Sequence, residues 1–163
     1  SGIFQMKTVF HSYSSKQTEE FGSQLGKSLK AGDVVALFGD LGAGKTTLAR
    51  GLIRHMTGPE TEAPSPTFTL VQTYETPAFP IWHFDLYRLE HPGEARELGM
   101  EEAVDGLALI EWSERLGRDL PAQRLEVQLS FGGPERIGGG RIARLVDFDD
   151  WSARIDGDWR PQS

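Results

Sequence analysis

Apolar residues along this chain keep two different periods, and the changes between them mark its elements. Val34-Val35-Ala36-Leu37-Phe38 is an unbroken apolar run, short and partly β-branched, as befits a strand buried on both faces. Leu107-Ala108-Leu109-Ile110 is a second run of this kind and is expected to lie parallel in the same sheet. Leu125, Val127, Leu129 and Phe131 instead alternate with Glu126, Gln128 and Ser130, the pattern of a strand with one wet face. Helical spacing appears twice. Phe21, Leu25 and Leu29 recur every four residues behind a cap at Ser14 or Ser15, with Gly32 expected to end the helix. Leu48, Leu52 and Ile53 place a second helix over residues 46–56.

The remaining segments follow from turn chemistry. Thr8-Val9-Phe10 is a short strand candidate at the start. The stretch 58–66 carries Gly58, Pro59, Pro64 and Pro66 and reads as a loop. Residues 67–74 and 82–89 are two extended segments joined by the turn-prone 76–80, which predicts a hairpin. Residues 92–98 are expected to form a short helix with proline in its first turn. Gly132-Gly133-Pro134 and Gly138-Gly139-Gly140 bound a flexible loop, from which residues 141–148 return as a partner strand. There is no internal repeat and no domain linker.

Between the first buried strand and the second helix stands Gly39-Asp40-Leu41-Gly42-Ala43-Gly44-Lys45-Thr46, a complete G-x-x-x-x-G-K-[ST] phosphate cradle. Its backbone N–H groups turn inward around a polyphosphate, and Gly42 and Gly44 let the main chain approach with no Cβ in the way. Lys45 reaches the β- and γ-phosphates as a point charge, while the Thr46 hydroxyl offers Mg²⁺ one ligand. The helix behind adds its partial positive charge. Strand, loop and helix agree, so the chain is read as binding a nucleoside triphosphate. The fold class that follows is α/β, a three-layer P-loop NTPase-like sandwich with a mixed, centrally parallel sheet.

Composition narrows this further. The 163 residues are one domain's worth. Residues 6–148 are assigned to it, with 1–5 as a tag remnant and leader and 149–163 as a tail of unknown role. Seventeen Lys and Arg against 24 Asp and Glu leave a net charge of −7, which argues against unaided binding to a nucleic-acid backbone. With no cysteine there is no disulfide, thiolate metal site or cysteine nucleophile. His11, His55, His83 and His91 lack metal-ligand spacing, so no zinc site is expected. No membrane-length apolar run or signal peptide is visible, which makes a soluble cytoplasmic protein the default.

A P-loop enzyme needs an acidic residue near Mg²⁺, commonly at the end of the strand beside the P-loop strand, and Glu111 directly follows Ile110 there. A carboxylate at a buried strand end is expensive unless paired or metal-linked; the alternative is an ordinary solvated glutamate. Asp85, within His83-Phe84-Asp85-Leu86-Tyr87-Arg88, is the other candidate. It either binds Mg²⁺ through water or orients the attacking water, unless it is only a polar residue of a hairpin strand. Ser65-Pro66-Thr67-Phe68 is either a γ-phosphate-sensing switch or a proline-stiffened loop with a buried Phe68. Trp112 and Arg115 pack or touch nucleotide, packing being the better expectation for the tryptophan.

Taken together, residues 39–47, Ser-Pro-Thr-Phe-Thr-Leu-Val (65–71), His-Phe-Asp-Leu-Tyr-Arg-Leu (83–89) and Ile-Glu-Trp (110–112) resemble the TsaE (YjeE) family, in order and spacing, from about Thr18 to about Arg144. The P-loop alone is widely shared; the segments at 65–71 and 83–89 make the match specific. The resemblance implies a bacterial Mg²⁺-dependent ATPase, giving ADP and phosphate, needed for threonylcarbamoyladenosine at the tRNA adenosine beside the anticodon. It implies action with a TsaB–TsaD pair, TsaD being the transferase, with tRNA met only through that complex and neither DNA nor membrane involved. Residue by residue, it implies that Lys45 acts on the phosphates and that Asp40, Leu41, Gly42, Ala43, Gly44, Thr46 and Thr47 cradle them. It gives Thr46 and Glu111 to Mg²⁺, Asp85 to catalysis, Thr18 to the neighbourhood of adenine, and Arg141 to a nucleotide contact. Two other readings fit a P-loop chain of this size: a small-molecule kinase with Arg136 and Arg141 as lid, and a non-hydrolysing ATP switch acting through the 65–68 loop.

Overall fold

The computed structural model describes residues 5–40, 44–131 and 141–147, with backbone alone for 5–10, 131 and 141–147. Seven strands form one sheet in the order β1 (Gln5–Ser12), β7 (Arg141–Asp147), β6 (Leu125–Phe131), β2 (Val34–Phe38), β5 (Leu107–Glu111), β4 (Ile81–Asp85), β3 (Val71–Tyr74). The four inner strands β6, β2, β5 and β4 are parallel, with β1 and β7 antiparallel at one edge and β3 antiparallel at the other. The mixed, centrally parallel sheet expected from the two apolar runs is the one observed.

Two apolar layers cover its faces. On one, α1 (Ser15–Gly26) and α2 (Lys45–Thr57) bury Phe21, Leu25, Leu48, Leu52 and Ile53 against Val35, Leu37, Ile81, Leu107 and Leu109. On the other, Phe84, Ala108 and Ile110 meet the short helix α3 (Glu94–Glu97) and the 3-10 segments Glu102–Asp105 and Ser113–Asp119. The side chains of one strand alternate between these layers, so Ile81, His83 and Asp85 of β4 share a face with Leu107, Leu109 and Glu111 of β5.

Ser14 is the cap of α1: its hydroxyl accepts from Gln17 N at 3.1 Å. The helix stops at Gly26, earlier than Gly32, because Ser28 and Leu29 N–H groups bond three residues back and tighten the chain. Leu29 still reaches the core from that turn, and Gly32 (φ 94°) bonds Gly106 instead. The helices α1 and α2 touch backbone to backbone: a Cβ on Gly51 would stand 2.0 Å from Glu19 O, and one on Gly22 2.1 Å from Leu48 O.

The hairpin of β3 and β4 is present but shorter than its apolar pattern. Residues 67–70 form a turn, closed by Leu70 N to Pro66 O at 2.7 Å, with Leu70 at φ 69°. The chain also leaves β4 after Asp85, whose Oδ1 accepts from Tyr87 N at 3.0 Å. The expected helix at 92–98 contracts to the four residues of α3.

Candidate functional site

β2, β5 and β4 end side by side, and their carboxyl ends open a cleft of about 350 Å³ whose walls include Lys45, Thr46, Ser65, Asp85, Glu111 and Trp112. Gly39 (φ 149°) turns the chain out of β2, and Gly44 (φ 105°) caps α2, whose N-terminus faces this cleft. Leu41, Gly42 and Ala43 lie outside the described residues. Asp40 is exposed at the loop's start, Thr47 lines the cleft, and Thr18 packs beneath the loop's end, its Cγ2 3.6 Å from where a Gly44 Cβ would stand. Thr18 is buried and bonded to Ser12 Oγ at 2.7 Å. Arg141 opens β7, but its side chain, like Arg136 altogether, is outside the described part.

The chemistry gathers at the first turn of α2. Lys45 is buried; its Nζ donates to Gly39 O at 2.6 Å and lies 3.3 Å from the centre of the Trp112 ring. Burial pushes its pKa below the ordinary 10.5, against the opposing pull of Glu114, Glu111, Asp85 and Asp40. Thr46 Oγ1 donates to Glu111 Oε1 at 2.8 Å. Glu111 is paired across the sheet with Leu37 of β2 on one side and Asp85 of β4 on the other. Only 2% exposed, Glu111 is no solvated edge residue. Its second oxygen, Oε2, is 2.6 Å from Nε2 of His83, which is fully buried.

Asp85 is 4% exposed and carries the other half of the cleft. Its Oδ2 accepts from Ser65 Oγ in a short hydrogen bond and stands 3.4 Å from Thr67 Oγ1. The Ser-Pro-Thr-Phe turn is therefore tied to the acidic residue through two hydroxyls. Phe68 at its tip is 86% exposed, so the loop is not anchored by burying that ring. Arg88 lies over Phe68 at 5.3 Å, and Arg115 over Tyr87 at 5.8 Å. Trp112 packs and lines the cleft at once, tilted against Tyr87 at 4.9 Å while under Lys45. Its φ of 60° is costly for a bulky side chain, about 1–3 kcal/mol, and such strain collects where structure holds a functional group in place.

These residues fit a divalent cation of the hard kind. Among the described residues no three His, Asp or Glu side chains cluster to hold a metal alone. The neighbouring Thr46 hydroxyl and Glu111 carboxylate supply two oxygens, and Mg²⁺ characteristically completes its shell with phosphate and water oxygens. The sequence pattern marked Lys45, Thr46, Asp85 and Glu111, and the fold brings all four together. It did not mark His83 as Glu111's partner, nor Ser65 and Thr67 as donors to Asp85. The polar His83 at an inward position between Ile81 and Asp85 is the one signal that pointed to the first of these.

Residues 12–137 match the family model of threonylcarbamoyl adenosine biosynthesis protein TsaE. The tRNA threonylcarbamoyladenosine biosynthesis protein TsaE of Rickettsia typhi is 49% identical over 119 residues, covering 72% of this chain and 83% of that protein. The protein of the same name from Nostoc is 40% identical over 153 residues, 90% of each chain. Among solved structures, YdiB of Bacillus subtilis superposes with a TM-score of 0.74 at 26% identity, over 92% of this chain and 90% of that one. A family match over residues 12–137 and relatives 40–49% identical over most of the chain lead to one assignment: the chain belongs to the TsaE family of threonylcarbamoyl adenosine biosynthesis proteins.

Proposed function

We propose that this chain is a Mg²⁺-dependent ATPase that hydrolyses ATP to ADP and phosphate in the cytoplasm. In this reading it works with homologues of TsaB and TsaD in the threonylcarbamoyl modification of tRNA. The observation that carries it is the 2.8 Å contact between Thr46 at the head of α2 and Glu111 at the end of β5, with Asp85 in register beside it. Lys45 and the N-terminus of α2 would bind the phosphates; Thr46 and Glu111 would hold the cation. The cation, when bound, neutralises charge that develops on the transferring phosphoryl group. Asp85, fixed by Ser65 and Tyr87 N, would orient the attacking water. An acidic chain suits an energy module that meets tRNA through partners.

Steady-state ATP hydrolysis, alone and with the cognate TsaB–TsaD pair, tests this. Low basal turnover that rises with the pair and disappears in Lys45→Ala is the expected outcome. A turnover indifferent to the pair sinks the partnership. One observation favours a second reading, an ATP-sensing switch: Ser65 and Thr67 tie the exposed Phe68 loop to Asp85. That reading requires tight ATP binding with no turnover even when both partners are present.

A further inference from the structure

His83 is an imidazole placed in an apolar layer, between Ile81 below and the cleft above, with zero exposure. One nitrogen, Nε2, is 2.6 Å from Glu111 Oε2; the other, Nδ1, is buried with no hydrogen-bond partner. An orphaned buried nitrogen is a penalty that a leucine in the same place would not carry. What the imidazole offers in return is the one contact to Glu111. That carboxylate is engaged on both oxygens, by His83 on Oε2 and by Thr46 on Oε1. The two donors fix both its rotamer and the orientation of its carboxylate plane.

We infer that His83 is a positioning residue for the cation site: by donating Nε2–H to Glu111 Oε2, it turns Oε1 toward Thr46 and the cleft. The inference rests on the reading of the cleft as an Mg²⁺-nucleotide site. A freely rotating glutamate would lose this presentation, and its two-oxygen pair with Thr46 would have to be assembled on binding. His83 touches neither nucleotide nor cation. It acts through Glu111 alone.

The test measures binding of ADP and of a non-hydrolysable ATP analogue to the full chain, in EDTA and across a Mg²⁺ titration. The variants are His83→Leu, His83→Asn and His83→Gln. Glutamine places an N–H near the Nε2 position; asparagine is too short, and leucine has no donor. The expected result is a half-saturating Mg²⁺ concentration raised about 10–100-fold in the Leu and Asn variants and restored in Gln. Metal-free ADP affinity should stay at the wild-type level in all three, which also reports that they are folded. Mg²⁺ dependence unchanged in a folded Leu or Asn variant overturns the inference, and so does its loss in a folded Gln variant. Wild-type binding that ignores Mg²⁺ overturns the parent reading as well, so the two failures are told apart.

Discussion

Glu111, Asp85 and Lys45 put three charges within one buried corner, and each is held by a different device. For Glu111 the device is a pair of partners, one on each oxygen; Glu111→Gln keeps the side chain's length and removes the charge, leaving one partner opposite an amide N–H₂. Nucleotide affinity in EDTA should survive, while Mg²⁺-dependent turnover falls at least ~100-fold, the scale of several kcal/mol of lost charge stabilisation. For Asp85 the device is the Ser65 hydroxyl and Tyr87 N, and Asp85→Asn should bind ATP but slow a single turnover by about 10²–10⁴-fold. Lys45 is held by a carbonyl and a ring, and burial lowers its pKa from 10.5. The folded state thus holds this proton less tightly than the unfolded one, so the group costs stability at neutral pH. That cost fades as pH climbs through the folded value towards 10.5. Lys45→Met should therefore melt no lower than wild type at neutral pH, yet lose nucleotide binding; a clear drop in melting temperature contradicts this account.

Strand β5 carries Glu111 into the corner and α2 carries Thr46, so the placing of elements decides whether the residues meet. Much of that placing was legible. The runs at 34–38 and 107–110 read as buried strands expected to lie parallel, as they do, and parallel neighbours put their carboxyl ends together. The turn at 67–70 was not legible, since Thr67, Phe68 and Thr69 all favour extended structure. It exists because the Ser65 and Thr67 hydroxyls turn back to Asp85 and Leu70 accepts φ 69°, which are tertiary facts. The close crossing of α1 and α2 was equally hidden. Gly22 and Gly51 sit inside helices where glycine looks like a weakness, and only the partner backbone explains them. Replacing Gly51 with alanine should force the helices apart and destabilise by about 1–3 kcal/mol or more, read as a lower urea midpoint. Because α1 carries Thr18 under Gly44, the same variant should also weaken nucleotide binding.

For the whole molecule, the sheet is the frame and the cleft its opening, so under the proposed function a bound nucleotide would stabilise the whole fold. ADP at a hundred times its dissociation constant should stabilise the fold by about 2.7 kcal/mol. For a chain of this size that is about 5–10 °C in melting temperature, and Lys45→Met should show none of it. Every described residue of the cleft lies between Gly39 and Trp112, whereas the sheet's edge is closed by far-separated partners: β1 pairs with β7, Gln5 opposite Asp147. A chain made from its N-terminus therefore extrudes β1 long before the strand that will cover it. At synthesis rates of about 5–20 residues per second, that first strand waits on the order of ten seconds with its hydrogen-bonding edge bare. During this interval it is open to capture by chaperones or by another nascent chain. Among the described strands, the last to leave the ribosome is the one that shields the first.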